Sequence, residues 1–450
     1  MKIIVFDDDP TGSQTVNDCL LLLKWDYKTL LKGLKHNSNI LFILANTRAL
    51  SEFQAKERLK EICESLLNVF HREGYRKEDF IFVSRGDSTL RGHNYIEPNQ
   101  LNKLLGPFDA TFHIPAFIEG NRVTIGGEHF VDNVPAHMTI YSKDKIFGYE
   151  TNNIKKILCQ KSNNKLGVRN INNLFLSDLD LLEIKRSNNI YRRILSFKDN
   201  SQVIVDANDY KYLEKLSSFV HSAIEEKRFL FRTSASFLTA LSGKNRKSKD
   251  YKFFSNLRRK NKEDQFLKGL IVVGSVVDNT NIQLKKLLDN NSLISIELNV
   301  EEFHRIISLQ KSESDLLNLK TLLKDKIRAC LRGSYTPVLY TSRRQIFFDN
   351  YDEQIYFYNS LSKFMAELIG LLSHEIGYLI SKGGITSNTI LSHGLNSDVV
   401  YLQGQIINGV SLVEAKIVDE KHILPVVTFP GNIGNEYSLL KVWKILEGLQ

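Results

Sequence analysis

The sequence predicts an α/β protein of two domains, each a mostly parallel sheet flanked by helices. Three observations predict it. Short apolar runs alternate with amphipathic stretches along the whole chain, which is the rhythm of β-α-β units. The pattern restarts near residue 270, after a polar and basic interval. At 450 residues the chain also exceeds the size at which one core keeps growing.

Taken in order, Ile3–Phe6, Ile40–Leu44, Phe80–Val83, Ala110–Ile114 and Val203–Val205 are strand candidates. Between them, Ser51–Glu73 and Tyr212–Lys227 carry apolar residues at helical spacing. The second half opens with a strand at Leu270–Gly274, then Gly274-Ser275, then a helical pattern at Gln283–Leu288. Asp352–Gly377 reads as one long amphipathic helix leading into a strand at Tyr378–Ile380. The polar, weakly periodic stretch Ser242–Asp264 marks the boundary. The expected division is residues 1–243, a basic linker over 244–266, and residues 267–450. Asn and Lys enrichment between Asn163 and Asn200 reads as biased composition.

Composition excludes several classes. The formal charge is +9, concentrated in Lys244–Lys249 and Arg258–Lys262. Those runs are expected to be a solvated linker, and no nucleic-acid-binding signature accompanies them, so no nucleic-acid partner is expected. No apolar run is long enough to span a bilayer. Three consecutive aspartates, Asp7–Asp9, come too early for a signal peptide. Four widely spaced cysteines, with no CxxC pair, fit free thiols in a reducing cytoplasm.

The candidate chemistry begins where Ile3–Phe6 delivers Asp7-Asp8-Asp9-Pro10-Thr11-Gly12-Ser13. Ligands of open α/β sheets bind beyond the carboxyl ends of strands. Three carboxylates there repel one another and need cations or donors to stay ionised. They suit a metal, a polyol or a general base; an Asx-type helix cap is the plain alternative. After Phe80–Val83 comes Ser84-Arg-Gly-Asp-Ser-Thr-Leu-Arg-Gly-His93. Arg85 and Arg91 offer planar forks for a carboxylate or phosphate, and Asp87, Ser88 and Thr89 suit hydroxyls. A salt-bridged surface turn is the competing account. His113 is expected to be a satisfied buried histidine. Glu119, Arg122 and His129 are candidate site-liners.

Near the C-terminus, Ser381-Lys-Gly-Gly-Ile-Thr-Ser-Asn388 and Phe429-Pro-Gly-Asn-Ile-Gly434 each follow an apolar run. Glycine lets a backbone approach a ligand, and its N–H groups can point at an anion. A nucleotide phosphate is the simplest such ligand. Lys382 either adds charge there or is solvated. No GxxxxGK[ST] loop exists, so a P-loop enzyme is excluded.

Two resemblances follow. Asp7-x-Asp9-x-Thr11 resembles the nucleophile loop of haloacid-dehalogenase-type phosphatases, which would use Asp7 and Asp9, but the later lysine and acidic pair of that family have no convincing match. The longer resemblance is to the four-carbon acid sugar kinases, which include threonate and erythronate kinases. It runs in order along nearly the whole chain: Asp8-Asp9-Pro-Thr-Gly12, Asp87-Ser-Thr-Leu-Arg-Gly92, Pro115-Ala-Phe, Gly126-Gly127, Gly274-Ser275, Gly383-Gly-Ile-Thr-Ser387, Gly404 with Gly409, and Pro430-Gly-Asn-Ile-Gly434. The extra aspartate, Phe147-Gly-Tyr149 and Arg232-Thr-Ser234 depart from the pattern and suggest a divergent branch.

The resemblance implies an N-terminal sugar-acid-binding domain, a C-terminal nucleotide-binding domain and an active site in the cleft between them. ATP with Mg²⁺ would phosphorylate a hydroxyl of a small anionic sugar acid such as threonate, erythronate or a 3-oxo-tetronate. Ser275, Gly383, Gly384, Ile385, Thr386 and Gly431 would contact nucleotide. Asp8, Asp9, Thr11, Asp87 and Arg91 would face the acceptor, with Ser88 and Arg85 beside them. Asp8 or Asp9 would be the catalytic base, the other touching the metal. Arg85 and Arg91 would hold the substrate carboxylate. A homodimer is compatible with this reading.

Overall fold

Central strands form where the sequence is continuously apolar, because a parallel strand covered on both faces has no solvent side to alternate with. Ile3–Phe6 and Ile40–Leu44 are buried at every residue. In this computed structural model, which describes residues 1–10, 12, 15–182, 188–243, 249–308, 313–344, 346, 348, 350–417 and 422–449, the chain divides into two compact units, Met1–Lys247 and Ser248–Gln450.

The first unit contains β1 (Lys2–Asp7), β2 (Cys19–Leu22), α1 (Tyr27–Lys35), β3 (Ile40–Leu44), α2 (Glu52–Glu73), β4 (Phe80–Arg85), α3 (Ile96–Leu105) and β5 (Ala110–Ile114). A small antiparallel sheet follows, β6 (Arg122–Ile125), β7 (Glu128–Val131) and β8 (Val134–Pro135). The unit ends with α4 (Ile154–Lys161), β9 (Ile171–Leu174), α5 (Leu176–Asp180), α6 (Asn189–Leu195), β10 (Ser201–Val205), α7 (Tyr210–Ala223), β11 (Phe229–Thr233) and α8 (Ala235–Ser242). Local signals set these bounds. Ser51 and Gln54 form a capping box at the start of α2, and Gly74 ends it at φ 75°. Gly126 and Gly127, both at positive φ, make the two-residue turn that joins β6 to β7.

The main strands of this unit run β2-β3-β1-β4-β11-β5-β10-β9, every pairing parallel. From β1 the chain runs out to β2 on one side and returns to β3, which lies between β2 and β1. It then crosses to the other side of β1 to form β4. That reversal leaves a crevice at the carboxyl ends of β1 and β4, where ligands of open sheets bind.

The second unit contains α9 (Tyr251–Asn256), β12 (Leu270–Val273), α10 (Asp278–Leu288), β13 (Leu293–Leu298), α11 (Val300–Ser308), α12 (Glu313–Arg332), β14 (Thr336–Thr341), α13 (Tyr351–Leu372), β15 (Leu379–Lys382), α14 (Gly384–Thr389), β16 (Val399–Ile407), β17 (Val410–Lys416), β18 (Ile423–Phe429) and α15 (Ser438–Glu447). Its strands run β13-β14-β12-β15-β18-β17-β16. The first five pair in parallel, and β17 and β16 are antiparallel additions at one side. The same reversal occurs: β12 is followed by β13 and β14 on one side, then by β15 on the other. The corresponding crevice lies at the ends of β12 and β15.

The interval read as a basic linker is partly structured. Residues 244–248 lie outside the described residues. Beyond them α9 buries Phe254 in the core cluster that holds Val273, Tyr378 and Trp443. Arg258 is buried, 3.5 Å from Glu447, and the Arg259 guanidinium donates to Ser373 O at 2.7 Å. The charges at 258 and 259 therefore anchor the second unit instead of being solvated. The helix expected at Gln283–Leu288 begins earlier, at Asp278, and the long helix ends at Leu372. Cys19, Cys63, Cys159 and Cys330 form no disulfide, and the first three are buried. Among the described residues no helix is long and apolar enough to cross a membrane.

Candidate functional site

At the first crevice the backbone arranges the charges. Asn46, at φ 51°, turns the chain sharply after β3. Ala45 N and Asn46 N donate to Asp7 O at 2.9 and 3.1 Å, and Arg48 N donates to Asp8 O at 3.2 Å. This lacing folds Arg48 over the end of β1. Its Nη2 and Nε reach the two oxygens of Asp8 at 2.7 and 3.1 Å, and its Nη1 lies 3.3 Å from Asp9 and 3.9 Å from Asp87. Three carboxylates thus hold the Arg48 guanidinium firmly protonated despite its burial.

Asp7 and Asp8 are fully buried. Arg85 bridges them, with Nη1 at 3.5 Å from Asp7 and 3.1 Å from Asp8. The burial of Asp7 raises its carboxyl to about 7, against the pull of Arg85, and its Oδ2 has no hydrogen-bond partner among the described residues. A Cβ at Gly12 would fall 1.9 Å from Asp7 Oδ1, so only glycine can lie there. This corrects the phosphatase expectation. A nucleophilic Asp7 would have to meet a phosphate, and it is sealed under Gly12. Arg85 pairs through Nη1 with two internal acids, and its buried Nε has no hydrogen-bond partner among the described residues. Asp9 is the open carboxylate of the three, with 20% of its side chain exposed against none for Asp8.

The loop after β4 brings the second group of residues. Arg91 Nε donates to Asp87 Oδ2 at 2.8 Å and sits 3.0 Å from Thr89 Oγ1, while the Thr89 hydroxyl also donates to Asp87. Burial pushes the Asp87 carboxyl up, but Arg48 and Arg91 outweigh it and hold it well below the usual carboxylate range. Only Nε of Arg91 is engaged among the described residues, which leaves its two terminal nitrogens as a donor fork. The guanidinium lies 5.2 Å from the Tyr141 ring centre. Two straps fix this loop. His129 Nε2 bonds Ser88 O at 2.7 Å and Tyr149 OH donates to Thr89 O at 2.7 Å. A carbonyl only accepts, so Nε2 carries the proton and Nδ1 accepts from Thr124. Burial lowers His129 to about 4, so it is a neutral strap.

Beneath the loop, Arg232 donates to Glu97 and Ser84 at 2.8 Å each and to Asn94 at 3.2 Å. A Cβ on Gly86 would meet Arg232 Cζ at 2.4 Å. His113 is buried on Gln202 at 2.8 Å and lowered to about 4 by desolvation. Glu119 accepts from Tyr210 and Ser236, and Arg122 lies 5.5 Å from the Phe117 ring centre. Thr11 lies outside the described residues. Reading the sequence did not find Arg48, Glu97 or the role of Arg232. Arg48 follows a strand end next to the reversal, which is a usable signal once strand order is known.

The second crevice is built by close approach. A Cβ on Gly274 would fall 2.2 Å from Thr386 Oγ1, one on Gly431 2.8 Å from Ser275 Oγ, and one on Gly383 3.1 Å from Thr386 Oγ1. Gly383 also needs φ 125°. The three segments therefore converge on Ser275 and Thr386. The amides of Gly274 and Ser275 donate to Lys382 O, and that of Gly383 donates to Phe429 O. Those amides are spent within the fold. The amides of Gly384, Ile385 and Thr386 stand in a helix's first turn, where no intrahelical partner exists. Ile385 is exposed. Lys382 is neither solvated nor paired with an acid. It is fully buried, donates to Pro430 O at 2.7 Å and Gly431 O at 3.2 Å, and is lowered to about 7 by desolvation.

Among the described residues no three His, Cys, Asp or Glu side chains gather as a metal site. The carboxylates at the first crevice are held by arginines. A magnesium ion that arrives on phosphate oxygens needs only one or two protein carboxylates, a need that does not call for a three-residue cluster.

A family model for a sugar-binding N-terminal domain matches residues 3–241, and one for a nucleotide-binding C-terminal domain matches residues 270–439. The chain belongs to the four-carbon acid sugar kinase family. It is 26% identical over 174 residues to the D-erythronate kinase of Heliobacterium modesticaldum (strain ATCC 51547 / Ice1), an alignment that spans 37% of each chain. Two solved structures share the fold. One is a Salmonella typhimurium LT2 protein whose name proposes a tRNA synthase, at TM-score 0.68, 15% identity and 98% coverage of both chains. The other is Haemophilus influenzae protein HI1011, at TM-score 0.62, 16% identity and full coverage of both.

Proposed function

We propose that this protein is an ATP-dependent sugar-acid kinase that phosphorylates a hydroxyl of a four-carbon acid such as threonate, erythronate or a 3-oxo-tetronate. The observation that carries the reading is Arg91. Asp87 and Thr89 orient it through Nε alone, so its terminal nitrogens are a preset fork for a substrate carboxylate. Asp87, Ser88 and Thr11 would then receive the hydroxyls of the chain. The carbohydrate-acid acceptor is also what the erythronate kinase relative's name suggests.

Asp9 is the better base. It is partly exposed, whereas Asp8 is closed between Arg48 and Arg85. In the step, Asp9 takes the proton of the acceptor hydroxyl as that oxygen bonds the γ-phosphorus. The bond from the γ-phosphorus to the β–γ bridging oxygen breaks, and ADP leaves with the electron pair. Asp8 acts by holding Arg48. On the second unit, Ser275, Gly383, Gly384, Ile385, Thr386 and Gly431 would cradle the nucleotide: Gly383 and Gly431 by making room, Gly384–Thr386 by their amides. Mg²⁺, bound to the nucleotide's phosphates, would supply neutralising charge on their oxygens. A cytoplasmic setting suits the free thiols.

The test is ADP release by purified protein with ATP and Mg²⁺ against D-threonate, D- and L-erythronate and 3-oxo-tetronates. Acid-dependent release that Asp9→Asn abolishes is the expected result. Phosphate release from phosphorylated sugars without ATP, and no turnover of any acid, would sink the reading.

A further inference from the structure

Past β14 the chain reads Thr341-Ser-Arg-Arg344, beside the strand β12 that leads to Ser275. The two arginines differ sharply. Arg344 is exposed and pairs with Glu301 at 3.1 Å. Arg343 turns inward. Its Nη1 donates to Ser275 O at 2.5 Å, and its guanidinium lies 5.8 Å from the Tyr340 ring centre. Its Nε and Nη2 are buried and have no hydrogen-bond partner among the described residues. Burial pulls the guanidinium below its ordinary range, and Tyr340 and Glu297, the charged groups that act on it, offset that only in part.

A buried charged donor without a partner is costly to keep, so such a group marks a place completed by something else. A fork with two unmade N–H directions matches phosphate oxygens better than any neutral partner. Its position narrows the choice. Ser275, which it grips, accepts from Thr280 at 3.0 Å and touches the space that Gly383 and Gly431 leave open.

We propose that Arg343 is a nucleotide-binding residue, which carries a guanidinium on Ser275 to the anionic phosphate chain of the nucleotide. The proposal rests on the nucleotide reading of the second unit and adds to it a cation supplied from outside both glycine loops. Arg343 recognises the charge of the phosphates, not the base or the ribose. Lys382, by contrast, spends its ammonium on two loop carbonyls and sets the loop's shape.

The experiment is calorimetric titration of the full-length wild-type chain and of Arg343→Ala, Arg343→Gln, Arg343→Lys and Arg344→Ala with MgATP, MgADP, AMP and adenosine. Arg343→Gln keeps a donor for Ser275 O while losing the charge, so it reports on binding even where Arg343→Ala disturbs the loop. Arg343→Gln is expected to bind MgATP roughly ten- to a hundred-fold more weakly, the value of one charge-assisted contact. Adenosine affinity should not change, Arg343→Lys should recover part of the loss, and Arg344→Ala should match wild type. Equal weakening of adenosine and MgATP would make Arg343 a mere support of Ser275 and overturn the proposal. MgATP affinity within about twofold of wild type in Arg343→Gln would overturn it as well. A wild-type chain that binds none of the four would overturn the nucleotide reading itself, a result distinct from the other two.

Discussion

The carboxyl ends of β1 and β4 and those of β12 and β15 come from the same event, a chain that reverses its winding direction about its first strand. The two ends hold opposite chemistry. At the first, Asp7, Asp8, Asp9 and Asp87 are interleaved with Arg48, Arg85 and Arg91, so charge is nearly balanced inside the protein, four carboxyls against three guanidiniums. At the second, Lys382 is buried and Arg343 partly buried against carbonyl groups and aromatic rings, with no carboxylate bonded to either among the described residues. The difference teaches what each end awaits. A nearly balanced cluster is preorganised and can position a polyhydroxy acid through one spare fork. An end with uncompensated cations is completed by an anion.

The largest expected effect lies in the chemical step. Asp9→Asn keeps the shape of the site and removes the base, so kcat for the best sugar acid should fall about 100- to 10,000-fold, while MgATP affinity stays near wild type. Steady-state kinetics with a parallel nucleotide titration checks this. A fall in nucleotide affinity alone would break the division of labour between the two ends. Next comes the internal balance. Arg48→Ala leaves the fully buried Asp8 on Arg85 alone and should cost about 1.5–3 kcal/mol in urea unfolding of the full chain. Arg344→Ala removes an exposed pair and should cost under about 1 kcal/mol. Equal costs would mean that the first cluster is wetter than its geometry.

The glycines sharpen the comparison on a smaller scale. Gly274→Ala would set a methyl 2.2 Å from Thr386 Oγ1, and Gly86→Ala one 2.4 Å from Arg232 Cζ. Each should destabilise by about 1–3 kcal/mol through overpacking. The second clash is with a guanidinium locked on Glu97, so Gly86→Ala should be the worse. Adding Thr386→Ala should restore the stability of Gly274→Ala without restoring nucleotide affinity, because the hydroxyl goes with the clash. Thermal unfolding with and without MgATP reads both. Restored affinity in the double variant would remove Thr386 from the binding set.

Much of this was legible in the sequence, and the failures have two causes. β1, β3, β4, β5 and β10 coincide with apolar runs, since a doubly covered strand must be apolar. Asp8, Asp9, Asp87 and Arg91 come together because they follow β1 and β4, which are neighbours in the sheet. Ser275, Gly383, Thr386 and Gly431 converge for the same reason after β12, β15 and β18. What the sequence hides is strand order. Arg48 follows β3 and Arg343 follows β14, each beside a strand already judged important, yet neither sits in a glycine-bearing motif. Partner identity was equally hidden. Arg85 looked like a substrate fork and pairs through Nη1 with Asp7 and Asp8, and the basic run at Arg258–Lys262 looked solvated although Arg258 is buried.

The smallest effects are in pH, where the two ends should move in opposite directions. Asp7 is raised to about 7 from 3.8, so between those values the folded protein holds a proton that the unfolded chain releases. Its contribution to stability is full below 3.8 and is lost as pH rises through about 7. Lys382 is lowered to about 7 from 10.5, so the unfolded chain holds the extra proton. Its contribution is full above 10.5 and is lost as pH falls through about 7. Asp7→Asn should therefore flatten the acid side of the stability profile, and Lys382→Met the alkaline side. Nucleotide should act on one of them alone: bound phosphates favour the ammonium form of Lys382, so MgATP binding near pH 8 should draw a proton from buffer. Calorimetry in two buffers of different ionisation enthalpy measures that uptake. Uptake that persists in Lys382→Met would assign the proton to another group, and its disappearance would tie the lysine to the phosphates through charge as well as through the loop it holds.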